Sequence, residues 1–159
     1  MKLIKRTAIT DSNLTSSNVP ETDYTAWSSL TAYTIGQKVI VVATHKIYEA
    51  LTNNTNKYPP DYLGGTTPDW LDIGATNKWS MFDESYQSQT VNPTSITIVC
   101  APGRINSLGL LNVDATAINI TLSISGDTVY SNSLNVNISS TNNWYEYFYN
   151  PIERKPDLS

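Results

Sequence analysis

A single cysteine, Cys100, stands in 159 residues, so no internal disulfide can form. In the strand-like run SITIVCAP it reads as a small buried hydrophobe. Histidine also occurs once, as His45, far from Cys100 along the chain. The two residues make neither a nucleophile–base pair nor a metal site, and no loop of regularly spaced acidic ligands marks a calcium site. No metal and no cofactor is therefore expected. Charged side chains make up only 15 % of the chain, against about 25 % in an ordinary soluble domain. Basic residues number ten, the net charge is −4, and the only tight basic cluster is Lys2, Lys5 and Arg6. Phosphate neutralisation needs more than that, so nucleic acid is excluded as a partner. No apolar run approaches the roughly 18 residues of a membrane span, so membrane insertion is not expected. The opening MKLIKRTAITDSN lacks the apolar centre of a signal peptide, which places synthesis in a cytoplasm without export by a visible signal.

What replaces the missing charge is serine, threonine and asparagine. Their side chains compete with helical backbone bonding and favour solvated strands and turns. An all-β chain is the expectation. Residues 1–23 are polar, with the run SNLTSSN and Pro20, and read as an extended N-terminal arm tied down by a neighbour within the chain or in another subunit.

Residues 24–78 are compact and aromatic. KVIVVAT and HKIYEAL join at ATHK as a hairpin, with His45 as a solvated turn residue and Gly36 free to take positive φ just ahead of it. Residues 53–69 form a long loop rich in Pro, Gly and Asn that needs aromatic packing from Tyr58, Tyr62 and Trp70.

Residues 79–159 change grammar. TSITIVCA, INSLGLLNVDA, AINITLSIS, DTVYSNSLNVNI and NWYEYFYNPI read as short strands. Ile118, Ile120, Leu122 and Ile124 recur at period two, as do Leu134, Val136 and Ile138, and APG and SGD supply turns. That pattern predicts an antiparallel β-sandwich, jelly-roll-like. Pro151 and Pro156 stop the last strand, so the sandwich is expected to continue beyond residue 159 or to be completed by partner chains. In WYEYFYNP, alternation puts Tyr145, Tyr147 and Tyr149 on one face and Trp144, Glu146 and Phe148 on the other. Aromatics on both faces predict a strand covered twice, and the three tyrosines are the candidate subunit interface. Between the two halves lies TNKWSMFD, residues 76–83. Trp79, Met81 and Phe82 are expected to fill a seam between two small cores.

The order Trp27, Tyr33, Gly36, Val39, Tyr48, Glu49, Pro59, Trp70 resembles the small carbohydrate-binding module of chitinases and other polysaccharide-degrading enzymes. Gln37 stands where that pattern has Asp, and the 53–69 loop is longer than the usual one. The resemblance implies a glycan held on exposed rings, with Tyr58, Tyr62, Trp70 and Trp27 as candidates, while Tyr33 and Tyr48 belong to the module's core. A longer stretch, through WLDIGATNKWSMFD, is similar to a run common in tailed-bacteriophage virion proteins, where such a hairpin unit leads into a β-sandwich. That likeness implies a structural component of a tail, fibre, baseplate or neck, located in the virion and built from several copies or with other virion proteins, with host surface glycan as a further partner. The alternative is a carbohydrate-binding module of a glycan-binding or polysaccharide-degrading protein. Asp61, Asp69, Asp72, Asp83 and Glu84 gather on and after the loop, but nothing in the sequence pairs them as a glycosidase would, so no enzyme is expected and no catalytic residue is assigned.

Overall fold

The computed structural model describes residues 6–83, 85, 87–136 and 148. Among these, the named elements are strands and two single 3₁₀ turns: β1 (Leu14–Ser17), β2 (Ala32–Tyr33), β3 (Lys38–Val41), β4 (Lys46–Ala50), β5 (Asn54–Thr55), a turn at Pro59–Asp61, β6 (Trp70–Ala75), a turn at Ser80–Phe82, β7 (Ile98–Cys100), β8 (Ala117–Ile124) and β9 (Asp127–Asn135). Every strand pair is antiparallel. The chain is all-β, and the strands form small separate sheets, β1-β7, β2-β5, β3-β4-β6 and β8-β9. Two compact units result, Met1–Leu111 and Asn112–Ser159. The expected border at residues 78 and 79 falls inside the first of them.

The first unit is organised by the hairpin read from the sequence. Val39 faces Tyr48 and Val41 faces Lys46 across β3 and β4, and β6 adds on the other side of β4, with Tyr48 opposite Asp72 and Ala50 opposite Trp70. Alternation then puts Val39, Val41, Tyr48, Ala50 and Trp70 on one face, where they and Tyr33 form the core; Trp27 and Tyr58 pack against its rim. Trp70 is 1 % exposed. Its indole N–H is satisfied by Lys57 O at 3.0 Å and its ring meets Tyr33 edge-on at 5.3 Å. The entry to β3 depends on Gly36, at φ 84°, whose N–H reaches Ala50 O at 2.8 Å. Gln37 Oε1 accepts from Thr34 N at 2.8 Å, which closes the turn before β3.

The N-terminal arm is fastened to its own chain. β1 pairs with β7, Leu14 with Cys100 and Ser17 with Ile98. Asn18 continues the attachment: its Oδ1 accepts from Thr97 N at 2.8 Å and its Nδ2 donates to Ser95 O at 3.0 Å. Val19 is the arm's one fully buried apolar side chain among the described residues.

Within the second unit, β8 and β9 form a hairpin through Ser125 (φ 52°) and Gly126 (φ 94°), two central residues in the left-handed region that matches strand twist. Ile118 lies opposite Leu134, Ile120 opposite Asn132 and Leu122 opposite Tyr130, whereas Asn119, Thr121, Ser131 and Ser133 occupy the other face. The period-two reading holds from Ile118 to Leu122 and at Leu134; the register shifts between Leu122 and Ser123, and Val136 lies beyond the end of β9. INSLGLLNVDA, by contrast, forms no strand; Asn112 sits at φ 54° and Leu111 is 81 % exposed. A run without a pairing partner gains no ladder bonds, whatever its alternation. Ile138, Pro151, Pro156 and the candidate interface residues Tyr145, Tyr147 and Tyr149 lie outside the described residues.

Candidate functional site

Two places in the first unit carry concentrated side-chain chemistry. The first is TNKWSMFD. Thr76 is fully buried and uses every polar atom. Its N–H donates to His45 O at 2.9 Å, its hydroxyl donates to Glu21 Oε1 at 3.0 Å, and its carbonyl accepts from Trp79 N and Ser80 N at 2.9 Å. Asn77 N donates to Asp23 Oδ1 at 3.0 Å, and its side-chain amide exchanges two bonds of 2.8 Å with the backbone of Val91. Thr90 Oγ1 donates to Asn77 O at 2.7 Å and accepts from Met81 N at 2.9 Å. Arm, hairpin turn and the 90–91 segment are thereby tied to one turn; within it Trp79 Nε1 and Asp23 Oδ2 are buried and meet no hydrogen-bond partner among the described residues.

The apolar members of the motif separate. Trp79 is buried, its ring stacked on His45 at 4.0 Å between centroids, and Phe82 meets it edge-on at 5.7 Å. Met81 is exposed. The motif was expected to form a seam between residues 24–78 and 79–159; Trp79 and Phe82 pack on each other and on His45 within the first unit, and Met81 is exposed. The sequence signal for this node was Thr76 and Asn77, side chains suited to capping a turn, rather than the aromatics.

His45 departs further from its reading as a solvated turn residue. It takes a positive φ of 54° in the β3–β4 turn, and its side chain is only 18 % exposed. Its Nδ1 lies 3.0 Å from Glu21 Oε1 and its Nε2 2.9 Å from Asp11 Oδ2.

The second place is the 53–69 loop. Pro59 starts a 3₁₀ turn with its own side chain buried, and Tyr62 O accepts from the N–H groups of Asp69 and Trp70 at 3.2 and 3.3 Å. Of the four glycan candidates, Trp70 is enclosed in the core and has no ring face for a sugar. Tyr58 is half-buried, edge-on to Trp27 at 5.1 Å, and Trp27 is half-buried with it. Tyr62 is the exposed ring, with Lys57 Nζ 5.5 Å from its centroid. Lys57 also pairs with Asp69 Oδ2 at 2.6 Å, and Thr52 donates to the other Asp69 oxygen. The bond from Lys57, then that from Thr52, holds the Asp69 carboxyl below the usual carboxylate range.

Two further acids of the loop region, Asp72 and Asp83, have structural partners. Asp72 pairs with Lys46, and that hydrogen bond raises the Lys46 ammonium above its ordinary range. Asp83 Oδ1 accepts from Ser85 N at 2.9 Å, and Glu84 lies outside the described residues. Among the described residues no group of three His, Cys, Asp or Glu could hold a metal ion, and no helix is long and apolar enough to cross a membrane. Cys100 is half-buried, and that burial pushes its thiol up. Compared with known proteins, the chain matches no family model, no curated protein and no solved structure.

Proposed function

We propose that the chain is a structural component of a tailed-phage virion, in the tail, fibre, baseplate or neck, acting by assembly with other protein chains and not by chemistry. One observation carries the assembly part of this reading. Large apolar side chains stand exposed along the late part of the chain: Leu108, Leu111, Ile124, Val129 and Tyr130 are among them, with Ile124 66 % exposed. A two-stranded hairpin is marginal until its apolar face is covered, and Ile124, Val129 and Tyr130 belong to the β8-β9 hairpin. The finer fold proposed with this reading is a carbohydrate-module-like hairpin unit followed by a sandwich that β8 and β9 begin and other strands complete. The virion assignment itself rests on the likeness of the run through WLDIGATNKWSMFD to phage proteins. Mass spectrometry of particles induced from the host carrying this reading frame tests it: the chain should be recovered at a fixed stoichiometry to the other tail proteins. Particles that adsorb normally and lack the chain would overturn the proposal.

A second reading, glycan contact, is favoured by Tyr62. Its exposed ring beside Lys57, on backbone stiffened by Pro59 and Pro60, offers a flat stacking surface held at low entropic cost. Many copies in a particle would make weak single-site binding effective through avidity. Retention of the chain on immobilised chitin or cell-wall glycan, lost in Tyr62→Ala, is the expected result; equal retention of both proteins contradicts it.

A further inference from the structure

The arm buries little, yet it runs over the first unit along most of its length. Arg6 Nη2 donates to Phe82 O at 2.8 Å, Asp11 and Glu21 flank His45, and Asp23 holds Asn77 N. Polar contacts thus tie residues 6–23 to the node at residues 45 and 76–82. The contact at His45 differs in kind from the rest. Both ring nitrogens lie within hydrogen-bond distance of carboxylate oxygens, 3.0 Å for Nδ1 and 2.9 Å for Nε2. An ionised carboxylate only accepts, and a neutral imidazole carries one N–H. Two such bonds at once need a proton on each nitrogen. With the ring neutral, one lone pair faces a carboxylate oxygen.

We propose that His45 is a proton-dependent latch for the N-terminal arm, in which the imidazolium joins Asp11 to Glu21 and loss of one proton releases Asp11. The choice of Asp11 as the end that lets go follows from burial. The Glu21 side chain is 10 % exposed and is also bonded by Thr76, whereas that of Asp11 is 76 % exposed and can turn to water. The stacked Trp79 ring fixes the plane of the imidazole, so His45 cannot swing to follow Asp11. Other charges near the ring are Asp83 and Lys46, which line the same shallow hollow, and Lys78, whose Nζ is 6.0 Å from the Trp79 centroid. Lys46 is engaged by Asp72. Release of Asp11 loosens the turn at residues 10–13 that leads into β1, and so the pairing of β1 with β7.

Amide hydrogen exchange on the full chain, corrected for the intrinsic pH dependence of exchange, reads the latch directly. Protection of the peptide covering residues 13–18 should be about tenfold lower at roughly pH 8 than at roughly pH 6. Protection of β3 and β4 should stay constant over that interval. In Asp11→Asn, a substitution of an exposed side chain, the pH dependence of the 13–18 peptide should disappear with the circular dichroism spectrum unchanged; His45→Gln should behave alike if it folds by circular dichroism. Equal protection of the wild-type peptide at both pH values, or full pH dependence retained in Asp11→Asn, overturns the latch.

Discussion

The β3-β4-β6 sheet and the β8-β9 hairpin are built from the same antiparallel pairing and differ in what their side chains meet. In the first, Val39, Tyr48 and Trp70 are enclosed to within 2 % exposure by strands and loops of one unit. In the second, the register is as regular, but Ile118, Ile120, Leu122 and Leu134 are only half-buried, and Ile124, Val129 and Tyr130 are exposed. Regular pairing and a finished core are therefore separable. Pairing follows from alternation and a turn, which local sequence supplies; enclosure needs a second layer, and the first unit gets its layer from Tyr33, from Trp27 and from Tyr58 of the 53–69 loop. The exposed apolar side chains among the described residues of the second region are the physical basis for the proposal that this chain is part of an assembly.

The largest expected effect lies at the centre of the enclosed sheet. Trp70→Ala removes the core's largest side chain and strips Lys57 O of its donor, and should cost about 3–5 kcal/mol in urea unfolding of the first unit. A loss under about 1 kcal/mol would mean that the module is held by its loops and not by this ring.

Next comes the node. Thr76→Val keeps the shape and deletes the hydroxyl that donates to Glu21, leaving a nearly buried carboxylate short of one bond. About 1–3 kcal/mol should be lost, together with faster proteolysis of the arm. Unchanged stability with an intact arm would show that Asp23 and Asn18 suffice to hold it.

A pH series sharpens the contrast without altering the core. The Asp69 carboxyl is depressed in the folded chain by Lys57 and then Thr52. Its contribution is therefore complete above the pH at which an unfolded Asp ionises and is lost as pH falls through the lower folded value. Lys46, raised by Asp72, contributes fully below the unfolded lysine range and loses its part as pH climbs through the higher folded value. Asp69→Asn should flatten the acid limb of unfolding monitored by Trp fluorescence. An acid limb as steep as that of the wild type would assign the acid sensitivity to other carboxylates.

How far these features could be read from residues alone follows the same division. Hairpin β3-β4 was legible in KVIVVAT and HKIYEAL, and β8-β9 in the spacing of Ile118 to Ile124 with SGD as the turn. The all-β class followed from the shortage of charge and the excess of Ser, Thr and Asn. What stayed hidden depended on distance. Asp11 and Glu21 lie 34 and 24 positions from His45, so no local pattern shows that they bracket it. The burial of Trp70 is set by β4 and Tyr33 together, and an aromatic that ends a loop looks the same in sequence whether it faces a sugar or a core. INSLGLLNVDA alternates well enough to suggest a strand, but a strand also needs an unpaired neighbour, which alternation does not report.

The smallest effect on stability is expected where the effect on assembly is largest. Val129→Ser replaces an exposed side chain on β9 and should shift unfolding by less than about 0.5 kcal/mol, while lowering incorporation of the chain into particles. A variant destabilised by several-fold more than that would place Val129 in the chain's own core.

Hydroxyl-radical footprinting, comparing the isolated chain with the chain in purified particles, bears most directly on the claim that the second region is finished by other chains. Tyr130, Ile124 and Val129 should be labelled readily in the isolated chain and strongly protected in the particle, while Tyr62, on the free loop of the first unit, keeps its labelling. Equal labelling of Tyr130, Ile124 and Val129 in both states would contradict the account.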